Sequence, residues 1–379
     1  MEFLFWFSLG AVVYTYAGYP LLVWLLGRLW RMTVRKTDFE PFVSILIAAH
    51  NEEAAIAQTI HNKLGLDYPM DRLEVIVVSD ASTDRTDEIA RSFAPHGVVV
   101  LRQEPRNGKS AALNLAVERA RGEILVFADA NSVYERKALR RLVGNFADPT
   151  VGYVTGTLAY VSREHSMTGE GCGRYIRYEN LLRRSETRVG SVVGVNGGVD
   201  AMRRPLYRRL SPDDLPDLVL PFSVVEAGYR VVYEPEAIAS EPVLTRSADE
   251  YRMRVRVSLR ALWTLVEMRR LLNPLRFGFY SIQVVSHKVL RYLAGPLLAA
   301  CYCSLLALWD AGFFYRMAFV VQSLLLLAGT LGLASERMGR PLQLLSIPSY
   351  FLLINCAAVD AIVKLVRGER RVVWQPRLG

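Results

Sequence analysis

Apolar and polar positions divide this chain into three kinds of segment. Residues 3–26 (FLFWFSLGAVVYTYAGYPLLVWLL) carry no charge, a run long enough to cross about 30 Å of hydrocarbon as a helix. From Phe42 to about Ala239, short apolar runs alternate with amphipathic ones: FVSILIAA then EEAAIAQTIHNKL, LEVIVVS then TDRTDEIARSF, VVVLR then KSAALNLAVERA, EILVFAD then ERKALRRLVGNF. This alternation predicts βαβ units and a mainly parallel sheet, with further strands at 151–161 and 230–239. Beyond it come an arginine-rich helical stretch at 252–276 and three more apolar runs, near 290–309, 313–333 and 343–363.

The expected organisation is an N-terminal membrane helix (1–30), an α/β domain (40–250), arginine-rich and interfacial helices (251–289), C-terminal membrane helices (290–366) and a basic tail (367–379). The first segment starts Met-Glu and is followed by Arg28, Arg31, Arg35 and Lys36. That is the flanking pattern of an uncleaved anchor, since a cleaved signal peptide has a basic start and a shorter apolar stretch. The basic cluster places the central domain on the cytoplasmic side. Three later spans then put Lys364, Arg367, Arg370, Arg371 and Arg377 outside, against the same tendency, unless one run is re-entrant or interfacial.

A net charge of +9 raises nucleic acid as a partner, but much of the excess flanks the apolar runs or lies in 252–276. Attraction to anionic membrane lipids is the simpler account, and no nucleic-acid-binding motif accompanies it. The four cysteines form no CxxC pair, which argues against a zinc site or a disulfide framework. No GxGxxG follows the first strand and no Walker motif occurs.

In an open α/β sheet, ligands bind beyond the carboxyl ends of the strands, so polar residues there are the site candidates. The first strand ends at Ala49-His50-Asn51-Glu52-Glu53, where a ring and a carboxylate can meet a nucleobase or cap the next helix. The second delivers Asp80, with Asp84 read as a helix cap. The third leads to Arg106-Asn107-Gly108-Lys109, where free helix N–H groups and a lysine suit a diphosphate. The fourth ends Ala128-Asp129-Ala130-Asn131; alternation points Asp129 and Asn131 the same way, so both oxygens can meet one divalent cation. Downstream lie a glycine-rich loop, Val193 to Gly198, and three aspartates, Asp213, Asp214 and Asp217. Arg252, Arg256 and Arg260 share one helical face, suited to a diphosphate or to lipid headgroups.

These motifs, in this order, resemble the inverting glycosyltransferases of family 2, particularly membrane-attached bacterial enzymes related to chitin-oligosaccharide, hyaluronan and cellulose synthases. The resemblance implies a GT-A domain, an α/β Rossmann-like sheet, with transmembrane helices. It implies that Ala49, His50, Glu52, Asp80, Lys109 and Asp129 bind the nucleotide, and that Asp129 and Asn131 hold Mg²⁺ or Mn²⁺. His50 stands where the family has a tyrosine, and Asn131 takes the third place of its DxD motif. Asp217 registers as the general base; Pro216 replaces the acidic residue usual before it, so Asp213 and Asp214 remain alternatives. Asn196 lies near the acceptor and donor sugar, and Arg256 on the diphosphate, although the family's QxxRW reads Met253-Arg254-Val255-Arg256-Val257 here.

The function expected on this resemblance is inverting transfer from a nucleotide-sugar donor, UDP-linked, to a lipid-linked saccharide or a polysaccharide acceptor. It would act at the inner membrane, in a multi-pass protein that can form homo-oligomers. The alternatives are a processive synthase of the chitin or hyaluronan type, or a non-catalytic scaffold that recognises nucleotide sugar or polymer.

Overall fold

The computed structural model describes residues 1–161, 166–242, 244 and 246–370; Arg371 and Arg377 of the basic tail lie outside the described residues. Eight strands are β1 (Val43–Ala49), β2 (Leu73–Asp80), β3 (Val98–Gln103), β4 (Ile124–Asp129), β5 (Val133–Tyr134), β6 (Val151–Val161), β7 (Val199–Arg203) and β8 (Arg230–Pro242). The helices, in chain order, begin with α1 (Glu2–Val13), which continues through a π-turn into α2 (Tyr19–Leu29). They go on with α3 (Ile56–Leu64), α4 (Thr86–Arg91), α5 (Gly108–Arg119), α6 (Ala138–Gly144), α7 (Met167–Val189) and α8 (Pro216–Glu226). The last six are α9 (Ser247–Glu267), α10 (Pro274–Phe277), α11 (Phe279–Val284), α12 (Leu290–Ala307), α13 (Phe313–Arg337) and α14 (Ser346–Val366).

The chain divides into two compact units. One comprises Gly27–Val161 and Arg183–Pro242; the other comprises Met1–Leu26, Ser162–Leu182 and Val243–Arg370. Residues 166–182, expected within the α/β domain, therefore group with the apolar helices.

The α/β unit is one mixed sheet in the order β3-β2-β1-β4-β7-β6-β8-β5. β3, β2, β1 and β4 are mutually parallel, whereas β7 runs antiparallel to both β4 and β6. Every residue of β1 is buried, as expected for a central strand covered on both faces. Ile45, Ile47, Val75, Val77 and Val126 form the middle of the core, each stabilising it by roughly 1.5–3 kcal/mol through burial. The chain leaves β1 toward β2 and β3, then returns to β4 on the other side of β1. That reversal is the switch point at which such sheets open a crevice. Because Ala128 of β4 pairs with Val199 at the start of antiparallel β7, the glycine loop before β7 is delivered to the same end as Asp129.

In the other unit, four helical stretches are long and apolar enough to cross a membrane: Glu2–Leu29, Phe279–Ala307, Phe313–Arg337 and Gln343–Val366. Phe5 of α1 packs with Cys301, Leu305 and Leu308. Leu324, Leu325, Leu327 and Leu331 of α13 are more than half exposed, a surface suited to lipid. The second stretch begins earlier than the apolar run that marks it. Residues 279–289, expected as an interfacial helix, are the first turns of the helix that continues into α12, because Gly278 (φ 55°) sets the break ahead of them. Buried His287 and part-buried Arg291 pair with Glu179 there, which lets these polar residues enter the bundle.

Candidate active site

Asp80 closes β2 and is almost fully buried. Its Oδ1 accepts from Gln103 Nε2 (2.5 Å) and Asn107 N (2.8 Å), and its Oδ2 from Gly108 N (2.9 Å). The carboxylate thus caps α5, where a negative charge suits the helix N-terminus. The N–H groups of Asn107 and Gly108 at the start of α5, expected to be open to a diphosphate, are held by Asp80 instead.

His50 differs from its expected role. Its ring is only 6% exposed, and Nδ1 lies 2.7 Å from the Asp80 carbonyl oxygen. It pins β1 to β2 rather than offering a face for stacking. Ala49, buried, pairs with Ser79 across the same two strands. Asn51 adopts φ 52° and accepts from Thr83 N (2.8 Å), while Glu52 N donates to Thr86 Oγ1 (2.8 Å). Asp84 accepts from Thr86 N (3.0 Å) and Glu53 N (3.0 Å), which is capping. These bonds weld the ends of β1 and β2 into one rim.

At the end of β4, Asp129 Oδ1 lies 2.5 Å from Lys109 Nζ. The strand stops at Asp129; Ala130 and Asn131 form a turn, with Ser132 N and Oγ donating to Asp129 O. Strand alternation therefore does not carry through to Asn131. The turn is held by Lys63, a fully buried side chain whose Nζ donates to Ser132 O (2.7 Å) and stands 3.8 Å from the centre of the Tyr134 ring. Burial drives the Lys63 ammonium down to about 7, against the pull of Glu241 and Asp129.

Gly197 (φ 71°) and Gly198 (φ 64°) occupy the left-handed region, which other residues reach only at a cost. Space is equally restrictive: a Cβ on Gly197 would lie 2.8 Å from Asp217 Oδ2, and one on Gly198 would lie 2.5 Å from Glu241 Oε1 and 3.3 Å from Asp129 Oδ2. Two glycines thus let Asp217, Asp129 and Glu241 converge. Asp217 stands in the first turn of α8 behind Pro216, where proline fits the helix start and the dipole favours the carboxylate. Burial lowers the Lys109 ammonium, but Asp129, Asp217 and Glu241 together outweigh it and raise the pKa.

Beneath this cluster, buried Asp200 accepts from Gly197 N (3.0 Å) and Tyr153 OH (3.1 Å). Burial first, and then the charge of Asp217, push its carboxyl up to about 7. Asp214 is engaged differently: its Oδ2 accepts from Ser211 N (2.8 Å) and its carbonyl from Ser110 Oγ (2.9 Å), closing the turn before α8. Asn196 donates through Nδ2 to Gly156 O (2.6 Å) and through its N–H to Thr155 Oγ1 (3.1 Å), which fastens the glycine loop to β6.

Arg256 lies on α9, in the other unit. Along that helix Arg252 is exposed and pairs with Asp249, Arg260 is buried, and Arg254 donates to Glu250 (2.8 Å) and Tyr350 OH (2.7 Å).

Sequence reasoning overlooked Glu241, Asp200 and Lys63. The first two lie beside strand ends as Asp80 and Asp129 do, but on strands whose ends the sequence pattern does not mark.

A divalent cation fits the donor set. Asp129 and Glu241 direct carboxylate oxygens at the same glycine, and Mg²⁺ is typically held by one or two carboxylates plus substrate phosphates. Among the described residues no group of three or more His, Cys, Asp or Glu side chains is placed to hold a metal ion by itself.

A mostly parallel sheet whose acidic strand ends meet at the switch point defines the GT-A class of nucleotide-sugar transferase folds. The solved structure of mannosyltransferase PcManGT from Pyrobaculum calidifontis, bound to GDP-Man and Mn²⁺, has that fold. It superposes with a TM-score of 0.74 over 97% of this chain and 99% of its own, at 23% identity. Residues 44–207 match the family described as Glycosyl transferase family 2, and the chain carries a domain of that family. It is 31% identical over 227 residues to the probable glycosyltransferase YdaM of Bacillus subtilis, covering 56% of this chain and 52% of that one. It is 22% identical over 318 residues to the poly-beta-1,6-N-acetyl-D-glucosamine synthase of Staphylococcus epidermidis, covering 76% and 74%. The chain thus spans about half the length of the first relative and three quarters of the second.

Proposed function

We propose that this protein is an inverting glycosyltransferase of the membrane, moving a sugar from a nucleotide donor, UDP-linked, to a lipid-linked saccharide or a polysaccharide. The observation that carries the reading is the convergence of Asp129, Asp217 and Glu241 on the glycine pair, with Lys109 among them. Such a cluster has both a cationic group for a leaving diphosphate and a carboxylate for a proton.

In this reading Asp217 accepts the proton of the acceptor hydroxyl as that oxygen attacks the anomeric carbon. Asp200 lies beneath Asp217, its carboxyl raised to about 7 by burial and by the charge of Asp217. Lys109 offers its ammonium to the departing diphosphate. Mg²⁺ or Mn²⁺, held by Asp129 and Glu241 with Asn131 alongside, would supply further charge stabilisation for the leaving group. Asp80 and His50 act from behind, by shaping the rim that Ala49 and Glu52 border; Asn196 positions the glycine loop. Arg256 is assigned to diphosphate contact by resemblance alone. The similarity to a poly-beta-1,6-N-acetyl-D-glucosamine synthase and the four apolar helices support a multi-pass inner-membrane protein with a cytoplasmic catalytic unit.

The test is nucleoside-diphosphate release by the full chain in nanodiscs, with Mg²⁺ or Mn²⁺, across UDP-, GDP- and dTDP-sugars and added membrane lipids. Metal-dependent release from a UDP-sugar is the expected result. Release only from a GDP-sugar would overturn the donor assignment, and nucleotide binding without release from any donor would favour the scaffold reading.

A further inference from the structure

β4 ends at Asp129, so Asn131 owes its place to the turn that follows and not to the strand. That turn is held by α3. Thr59, Asn62 and Lys63 stand at i, i+3 and i+4, on one helical face. Thr59 Oγ1 donates to Ala130 O (2.7 Å) and Lys63 Nζ to Ser132 O (2.7 Å), which fixes the carbonyl on either side of Asn131. Asn62 takes the far end of the turn, accepting from Tyr134 N (2.7 Å) and donating to Tyr134 O (2.8 Å).

The same turn is tied to the rest of the acidic cluster. Val133 pairs with Ser240 of β8, the residue before Glu241, and Tyr134 OH donates to Gly198 O (2.8 Å). Lys63 joins these parts: Nζ also donates to Asn62 Oδ1 (3.0 Å) and lies 3.8 Å from the centre of the Tyr134 ring. Lys63 is 0% exposed, and an ammonium is costly to bury unless hydrogen bonds and an aromatic face replace its water. An apolar side chain of similar volume would fill the space without that cost, so packing alone does not account for a lysine here.

We infer that Lys63 is a positioning residue for the divalent cation: with Thr59 it fixes the backbone on both sides of Asn131, and so the direction from which Asn131 and Asp129 meet the metal. The inference rests on the reading that Asp129 and Asn131 hold Mg²⁺ or Mn²⁺. Partners that orient metal ligands from behind govern affinity by roughly 10- to 100-fold.

Charge and geometry predict opposite signs. Asp129 and Glu241 both attract the Lys63 ammonium, so if Lys63 were only a neighbouring charge, Lys63→Met would tighten Mn²⁺ binding by removing a repulsion. As a positioning residue, its loss weakens Mn²⁺ binding by roughly ten-fold or more. Thr59→Val removes the bond to Ala130 O without changing any charge and weakens Mn²⁺ binding in the same direction; Thr59→Ser, which keeps the hydroxyl, restores it. The Mn²⁺ Kd is read by electron paramagnetic resonance on the full chain in nanodiscs at pH 6, where the Lys63 ammonium, driven down to about 7 by burial, keeps its charge. Thermal midpoints check that each variant folds. Unchanged or tighter Mn²⁺ binding in Lys63→Met, with binding weakened in Asp129→Ala, overturns the inference and leaves the metal reading standing. If Lys63→Met does not fold, unchanged binding in Thr59→Val overturns it instead. Asp129→Ala binding Mn²⁺ as tightly as the unsubstituted chain, or no saturable binding by that chain, overturns the metal reading and this inference with it.

Discussion

Lys109 Nζ stands 2.5 Å from Asp129 Oδ1, so an ammonium occupies the carboxylate proposed above as a ligand of the divalent cation. In the proposed reading the two cations compete for one ligand. Lys109→Met should therefore tighten donor-free Mn²⁺ binding, read by electron paramagnetic resonance. It should also lower turnover by about 100-fold, the usual loss when one charge-stabilising group is removed from a leaving group. Unchanged Mn²⁺ affinity would show that the ion pair does not guard the site.

Gly197→Ala and Gly198→Ala each force a side chain into the left-handed region, costing about 1–2 kcal/mol from the backbone alone. Each also drives a methyl group against a carboxylate of the cluster. Both should lose activity beyond what their thermal midpoints explain. Gly97 has φ 83° but nothing within 4 Å of a built Cβ, so Gly97→Ala should lose stability while keeping turnover.

Asp200 gives a pH dependence with a definite sign. Its folded-state pKa of about 7 lies above the unfolded value near 3.9, so the folded chain holds a proton that the unfolded chain releases. The stabilising effect is complete below about pH 4 and is lost as pH rises through 7. Asp200→Asn retains an oxygen for Gly197 N and removes the titration. Its thermal midpoint, relative to the unsubstituted protein, should rise between pH 5 and pH 8. A difference that stays constant with pH would contradict the assignment.

The parallel half of the sheet was legible because buried parallel strands read as largely apolar runs, VSILIAA and ILVFAD among them, and because Asp80 and Asp129 stand at the ends of such runs. Glu241 was not, since Glu234, Pro235 and Glu236 break the hydrophobic pattern and the strand was expected to end at 239, whereas β8 runs on to Pro242. Asp200 was hidden because VDAMR carries no sign that it is an antiparallel strand set between β4 and β6. The burial of His50 was not legible, because motif position tells which element a residue ends or lines, but not whether neighbours bury it. Only tertiary packing puts His50 under the Asp80 carbonyl and Arg254 against Tyr350.

The central claim is that Asp217 is the base and Asp214, bonded to Ser211 N, is not. The direct measurement compares Asp217→Asn and Asp214→Asn in nanodiscs, following nucleoside-diphosphate release and, in parallel, nucleotide Kd by calorimetry. Asp217→Asn should lose about 100- to 10,000-fold in turnover, the range of general-base catalysis, with nucleotide Kd nearly unchanged, while Asp214→Asn stays close to the unsubstituted rate. Full turnover in Asp217→Asn, with or without loss in Asp214→Asn, would contradict the account.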